Sequence, residues 1–145
     1  MIPGTVLISR NNDESLNTSP GYWNHCAIYV GNGRIIHSLR DEGVVETIYG
    51  EWLAYDCTWL SLIPLDVATG YKAAFKATQL LGLPYRTLSS VWLRAKNLSR
   101  GINCVDAAVR VPYEYALGKS LSSIHWPDHV IELTGIFTKG PTSSD

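Results

Sequence analysis

The run Asn24-His25-Cys26-Ala27-Ile28-Tyr29-Val30-Gly31-Asn32-Gly33-Arg34-Ile35-Ile36-His37 decides how this chain folds. Two β-rich stretches, Asn24–Val30 and Arg34–Leu39, flank Gly31-Asn32-Gly33. Glycine and asparagine supply the positive φ that a tight hairpin turn needs, so the run predicts a hairpin and with it an antiparallel sheet. If the loop is the three residues Gly31-Asn32-Gly33, Val30 faces Arg34 and His37 faces Ala27. His25 then lies one diagonal step from His37 on the same sheet face. A two-residue loop would slip the register by one and put the two histidines on opposite faces.

Working outward, Thr5–Ser9 follows Pro3-Gly4 and reads as a short strand, and Asn11–Gly21 as a polar loop. Gly43–Ile48 and Trp59–Pro64 read as further strands. Helical patterns fill the second half. Thr69 is a candidate cap for a helix from Gly70 to about Leu81, stopped by Gly82 and Pro84. Ser89–Asn97 reads as a short helix. Asn103 reads as the N-cap of a helix over Cys104–Val111, which Pro112 bends, ends or restarts toward Leu117-Gly118. Trp126–Leu133 starts with Pro127 in its first turn. Strands followed by helices predict an α+β domain with an antiparallel sheet. At 145 residues there is room for one core. We therefore expect a single domain over residues 1–138 and a flexible polar tail over 139–145.

The chain holds 12 basic and 13 acidic residues, a formal net charge of −1. That balance argues against a dedicated nucleic-acid binder, which needs a positive footprint. The charge is unevenly placed: residues 1–66 are net acidic, residues 67–113 carry a single acid, Asp106, among basic residues, and the remainder is weakly acidic. No apolar run approaches the roughly 20 residues of a membrane span. Met1-Ile2-Pro3-Gly4 lacks the basic and apolar regions of a signal peptide. The expected address is the cytoplasm, with delivery elsewhere requiring lysis or a secretion machine.

The candidate chemistry lies in four histidines and three cysteines. His25 and His37 on one face are either half-buried structural polar groups, part of a zinc site, or members of a catalytic set. Two histidines with no third ligand placed make the zinc reading weak, so no metal and no cofactor is expected. Cys26, inside an apolar run, and Cys57, beside Trp59, read as small buried hydrophobes. Cys104 falls in the first turn of a predicted helix, within the basic segment, where the helix terminus favours thiolate. Its plainer reading is a buried cysteine beside Ala107, Ala108 and Val111. Asp106 and Arg110, four apart, suit a helix ion pair. His125 and His129 share that spacing, which can bind metal, but they read more plainly as an exposed pair and stay outside the candidate site.

The run from Asn24 to His37 resembles the first motif of circularly permuted NlpC-type papain-like proteins: a histidine, a strand ending in Tyr-Val-Gly, a glycine turn and a second polar residue twelve positions on. That second residue is histidine in the lecithin–retinol acyltransferase-like branch and often acidic in the bacterial YiiX/YebB-like branch. Gly82-Leu83-Pro84-Tyr85 resembles the Gly-x-Pro-Tyr of the bacterial branch. Pro3-Gly4-Thr5-Val6-Leu7 is similar to the entry strand, Asn103-Cys104 to the nucleophile segment and Trp126-Pro127-Asp128 to a late Pro-centred turn. The resemblance spans residues 3–133. Thr5 departs from the usual Asp, and Val105-Asp106-Ala107 matches neither branch.

The resemblance implies a permuted papain-like fold, an antiparallel sheet or barrel packed against a helical half carrying the nucleophile. It implies Cys104 as nucleophile, His25 as base and His37 as the group orienting His25, with the Cys104 N–H in an oxyanion hole. The expected activity is a cysteine hydrolase cutting an amide or peptide bond through a thioester, with a peptide or peptidoglycan fragment as substrate. The alternatives are an acyltransferase or thioesterase acting on an acyl lipid with the same residues, and a non-catalytic binding module on the same fold.

Overall fold

The hairpin forms, and of the two turns open to it the shorter is used. The computed structural model describes residues 1–17, 19, 21–85 and 103–145. In it, β2 (His25–Gly31) pairs antiparallel with β3 (Arg34–Leu39). Gly31 faces Arg34, leaving a two-residue turn of Asn32 and Gly33 with φ of 53° and 70°. Two positive φ values are what a type I′ turn demands. The register then shifts between Tyr29 and Gly31, and the pairs beyond are Tyr29 with Ile35 and Ile28 with Ile36. This bulge takes up one residue and restores the pairing that a three-residue loop would have produced. It keeps His25 and His37 on one face.

The other strands are β1 (Val6–Asn11), β4 (Gly43–Ile48), β5 (Cys57–Pro64) and β6 (Phe137–Thr142). Together they form an open six-stranded antiparallel sheet in the order β4-β3-β2-β1-β5-β6. The fold is thus α+β with an open sheet, not a closed barrel, because β4 and β6 end the order without pairing to each other. β6 replaces the free tail expected from residue 139. The Ser61 hydroxyl donates to Pro141 O and the Ser143 N–H donates to Trp59 O, so these residues pair along β5.

Side chains alternate across the sheet, and each face has its own cover. Val6, Ile8, Cys26, Ile28, Ile36, Val44 and Leu62 share one buried cluster with the main helices. These are α2 (Val67–Thr78) and a helix that starts at Cys104, runs through a π-helical stretch at Asp106–Arg110 and continues as α3 (Val111–Leu117). On the other face Leu7, Ala27 and Ile35 pack under Trp52 of α1 (Tyr49–Leu53), a short helix the sequence did not announce. A further short helix, α4 (Pro127–Ile131), keeps Pro127 in its first turn.

Helix ends show where local rules hold. Asn103 caps as expected, its side-chain oxygen accepting from the Asp106 N–H at 2.8 Å. At α2 the cap is Asp66, not Thr69: Asp66 accepts from the Thr69 N–H at 2.9 Å and its hydroxyl at 2.6 Å, which moves the helix start to Val67. Pro112 does not end its helix. A proline has no N–H to donate and crowds the preceding turn, and the π-helical stretch just before it absorbs that conflict. Tyr113, fully buried, donates from its hydroxyl to Gly4 O at 2.5 Å and ties this helix to the entry of β1. The expected helix over Ser89–Asn97 lies outside the described residues. No helix among the described residues is long and apolar enough to cross a membrane.

Candidate active site

His25 is the first residue of β2. It lines a cleft of about 300 Å³ together with Ser15, Asn24, Arg40, Tyr85 and Cys104. It also lines a second, adjoining cleft of about 240 Å³ with His37, Trp52 and Cys57.

His25 Nε2 lies 3.0 Å from His37 Nδ1. His37 is buried, 2% exposed, and its Nε2 lies 2.9 Å from the Thr47 hydroxyl. The β3–β4 register explains this contact: His37 faces Val45 and Ile35 faces Thr47, so Thr47 is a diagonal neighbour of His37 on the same face. Burial first, and the neighbouring His25 second, push the His37 pKa down from 6.5 to about 3. His37 is therefore a neutral imidazole throughout the ordinary pH range, able to accept one hydrogen bond and donate another.

Cys104 enters from the helical layer. It begins a helix capped by Asn103, is 8% exposed and touches the cleft. Hydrogen bonding from the Cys26 thiol is the largest influence on it and lowers its pKa. Burial opposes this, while hydrogen bonding and charge from His25 and the Cys26 backbone lower it further, leaving the thiol well below its ordinary range. Cys26 moves the other way, pushed up by burial and by the negative charge on Cys104. The Cys26 groups and His25 thus favour the charged form at Cys104, whereas burial, Cys104 itself and the nearby Asp128 carboxylate disfavour it at Cys26.

The surrounding residues hold this arrangement in place. The Asp128 carboxylate accepts from the Tyr22 N–H at 2.9 Å and the Trp23 N–H at 2.7 Å, fixing the loop that leads into His25. A Cβ at Gly21 would come within 2.5 Å of that carboxylate, so glycine is needed for the approach. Leu83 O accepts from the Val44 N–H at 2.8 Å, which pins Gly82-Leu83-Pro84-Tyr85 against the start of β4 and delivers Tyr85 to the cleft. Asp106, buried, pairs with Arg110 at 2.8 Å as its spacing suggested, and Arg110 reaches Glu114 at 3.0 Å.

Of the three residues singled out by sequence, His25 lines one cleft with Cys104 and is bonded to His37, which lines the second cleft. Cys57, on β5, lines the second cleft, and burial and Asp56 push its thiol up. The pair expected to be exposed, His125 and His129, packs around Trp126 instead, with the His125 N–H donating to His129 Nδ1 at 3.1 Å. Among the described residues no three metal-binding side chains gather. Sequence reasoning missed Thr47, Asp128 and the role of Cys26 beside Cys104. Thr47 carries no motif, and Asp128 had only its place beside Pro127.

Comparison with curated proteins finds the chain similar to the gamma-DL-glutamyl hydrolase of Bacillus subtilis (strain 168). The two are 29% identical over 119 residues, which is 80% of this chain and 26% of that protein. The chain spans about a quarter of the length of the relative it matches. The similarity is to a hydrolase. No family model matches the chain. No solved structure matches it.

Proposed function

We propose that the chain is a cysteine hydrolase that cleaves an amide or peptide bond through a thioester on Cys104. The observation that carries this reading is one cleft lined by both Cys104, whose thiol is held well below its ordinary range, and His25, whose Nε2 is engaged by a second, neutral histidine. Similarity to a protein named as a hydrolase supports it independently.

In this reading His25 uses Nδ1 toward Cys104, because its Nε2 is occupied by His37. The Cys104 sulfur attacks the substrate carbonyl, and the Cys104 N–H at the helix terminus stabilises the oxyanion that forms. His25 passes the proton it holds to the leaving nitrogen, the amine departs, and a thioester remains. Water, deprotonated by the same His25, attacks the thioester and releases the carboxylic acid and the thiol. His37 does not take the proton, since it protonates only near pH 3. It accepts from His25 Nε2–H at Nδ1 and donates from Nε2–H to Thr47, so the imidazolium is oriented while His37 stays neutral.

The name of the relative makes γ-glutamyl amides the first substrates to try. The test is incubation with γ-glutamyl peptides, peptidoglycan fragments and phospholipids in parallel, with Cys104→Ala as control. Amine release from a peptide substrate by the wild type alone supports the reading. Turnover of the lipids only would move it to an acyl-lipid enzyme. No turnover of any of the three, with Cys104 still alkylated fast, would leave a binding module.

A further inference from the structure

The second cleft is built on one face of the sheet. Ser9 faces His25 across β1 and β2, and Asn11 faces Cys57 across β1 and β5, so alternation puts all four on the same side. His37 joins them from β3, and Trp52 of α1 with the exposed Tyr55 just after it supply aromatic walls. Asn24, His25 and Leu39 line both clefts, so the two join at His25. Their linings differ in charge. Cys104 and Arg40 line only the first. The described residues that line the second include no Asp, Glu, Lys or Arg. Its volume of about 240 Å³ lies below the roughly 300–1,000 Å³ of a site that holds a whole small ligand, and suits a single residue.

Resting on the hydrolase reading above, we propose that the second cleft is the leaving-group subsite and takes an amine fragment with an uncharged aromatic or large apolar side chain. After attack the acyl carbon is bonded to the Cys104 sulfur, so the acyl part stays in the cleft that Cys104 lines. When the C–N bond breaks, its electron pair goes to the nitrogen, which takes the proton held by His25. That nitrogen must sit against His25. The rest of the leaving fragment then continues past His25 into the cleft that shares this residue but not Cys104. Tyr55 and Trp52 offer ring surface to an apolar side chain. Ser9 and Asn11 offer neutral polar groups to the fragment's own amide. A charged side chain would lose its water there and meet no counter-ion among the described lining residues. Tyr55 has no part in the hydrolytic steps, so it acts on selectivity.

Hydrolysis of γ-glutamyl amides that share one acyl group and differ in the leaving residue tests this, with glycine amide, phenylalanine amide and lysine amide compared on the full chain. kcat/KM should be highest for the phenylalanine amide, by roughly 10-fold or more over the other two. Tyr55→Ala should erase most of that preference, and because Tyr55 is exposed its removal spares the core. A second readout needs no turnover, since each cleft carries its own thiol, Cys104 in the first and Cys57 in the second. N-acetylphenylalaninamide at millimolar concentration should slow alkylation of Cys57, followed by peptide mapping, more than that of Cys104, and N-acetyllysinamide should protect neither. An active enzyme that cleaves the three amides equally, or keeps its preference in Tyr55→Ala, with Cys57 unprotected, would overturn the subsite and leave the hydrolase reading standing. No turnover of these amides or of peptidoglycan fragments would instead overturn the hydrolase reading, and the leaving-group role with it.

Discussion

His37 holds its Nδ1 3.0 Å from His25 Nε2 while burial and that same neighbour keep it neutral down to about pH 3. A neutral imidazole in that place acts as a two-way connector. It engages His25 Nε2 at one nitrogen without placing a buried negative charge there, and the Thr47 hydroxyl at the other.

The proposed nucleophile and base make the first prediction. Near pH 7 iodoacetamide should label Cys104 faster than Cys26 or Cys57, and His25→Ala should slow that labelling. Amide hydrolysis should fall by roughly 10³-fold or more in Cys104→Ala, and by about 10²–10⁴-fold in His25→Ala. Equal, slow labelling of all three cysteines would remove the chemical basis of the reading.

Thr47 is expected to position His37. Thr47→Val keeps the shape of the side chain but leaves His37 Nε2 without its partner. An unsatisfied buried donor costs about 1–3 kcal/mol, so kcat should drop roughly 10-fold or more while KM stays unchanged. Thr47→Ser, which restores the hydroxyl, should recover most of the rate. A valine variant with wild-type kcat would show that the hydroxyl does not matter.

Burial of neutral His37 links stability to pH. The unfolded chain protonates this histidine below about pH 6.5, whereas the folded chain resists until about pH 3. Protons therefore favour the unfolded state in that window. The stabilisation is fully present above pH 6.5 and is lost as pH falls through the window toward 3. Denaturant titrations between pH 7 and 3 should show a stability slope steeper in the wild type than in His37→Gln, by up to about 1.4 kcal/mol per pH unit. Parallel curves for the two proteins would contradict the buried neutral state.

The Asp128 carboxylate anchors the loop before His25 through two backbone N–H groups. Bonds to a charged acceptor are worth about 1.5–3 kcal/mol each, so Asp128→Ala should cost roughly 2 kcal/mol or more of stability. It should also speed amide exchange at Tyr22 and Trp23 relative to the centre of β2. Unchanged exchange at both positions would mean the loop is held by other contacts.

Local rules carried much of this far. The turn residues at 31–33 announced the hairpin, and Asn103 announced the cap that places Cys104 at a helix start. The same rules misjudged the ends of elements. Thr69 and Asp66 are both good caps, and the sequence alone does not say which one the helix uses. The polar stretch after residue 138 offers no apolar alternation, yet β5 had an open edge to pair, and backbone hydrogen bonds depend little on side-chain type. The spacing of His125 and His129 says nothing about Trp126, whose ring lies beside both of theirs.

What the sequence by itself determined is therefore the set of groups that chain-neighbour effects prepare. These are a hairpin carrying two histidines, a cysteine at a helix start and the ion pair of Asp106 with Arg110. Only the tertiary structure decided how they combine. The bulge between Tyr29 and Gly31 kept the histidines on one face despite a two-residue turn, since a register is settled by the whole sheet and not by its turn alone. The contact of Thr47 with His37, the anchoring of the Tyr22–Trp23 backbone by Asp128 and the shared cleft of Cys104 with His25 all join residues distant in sequence or in different elements. Such contacts depend on where strands and helices pack, which no local pattern of residues encodes.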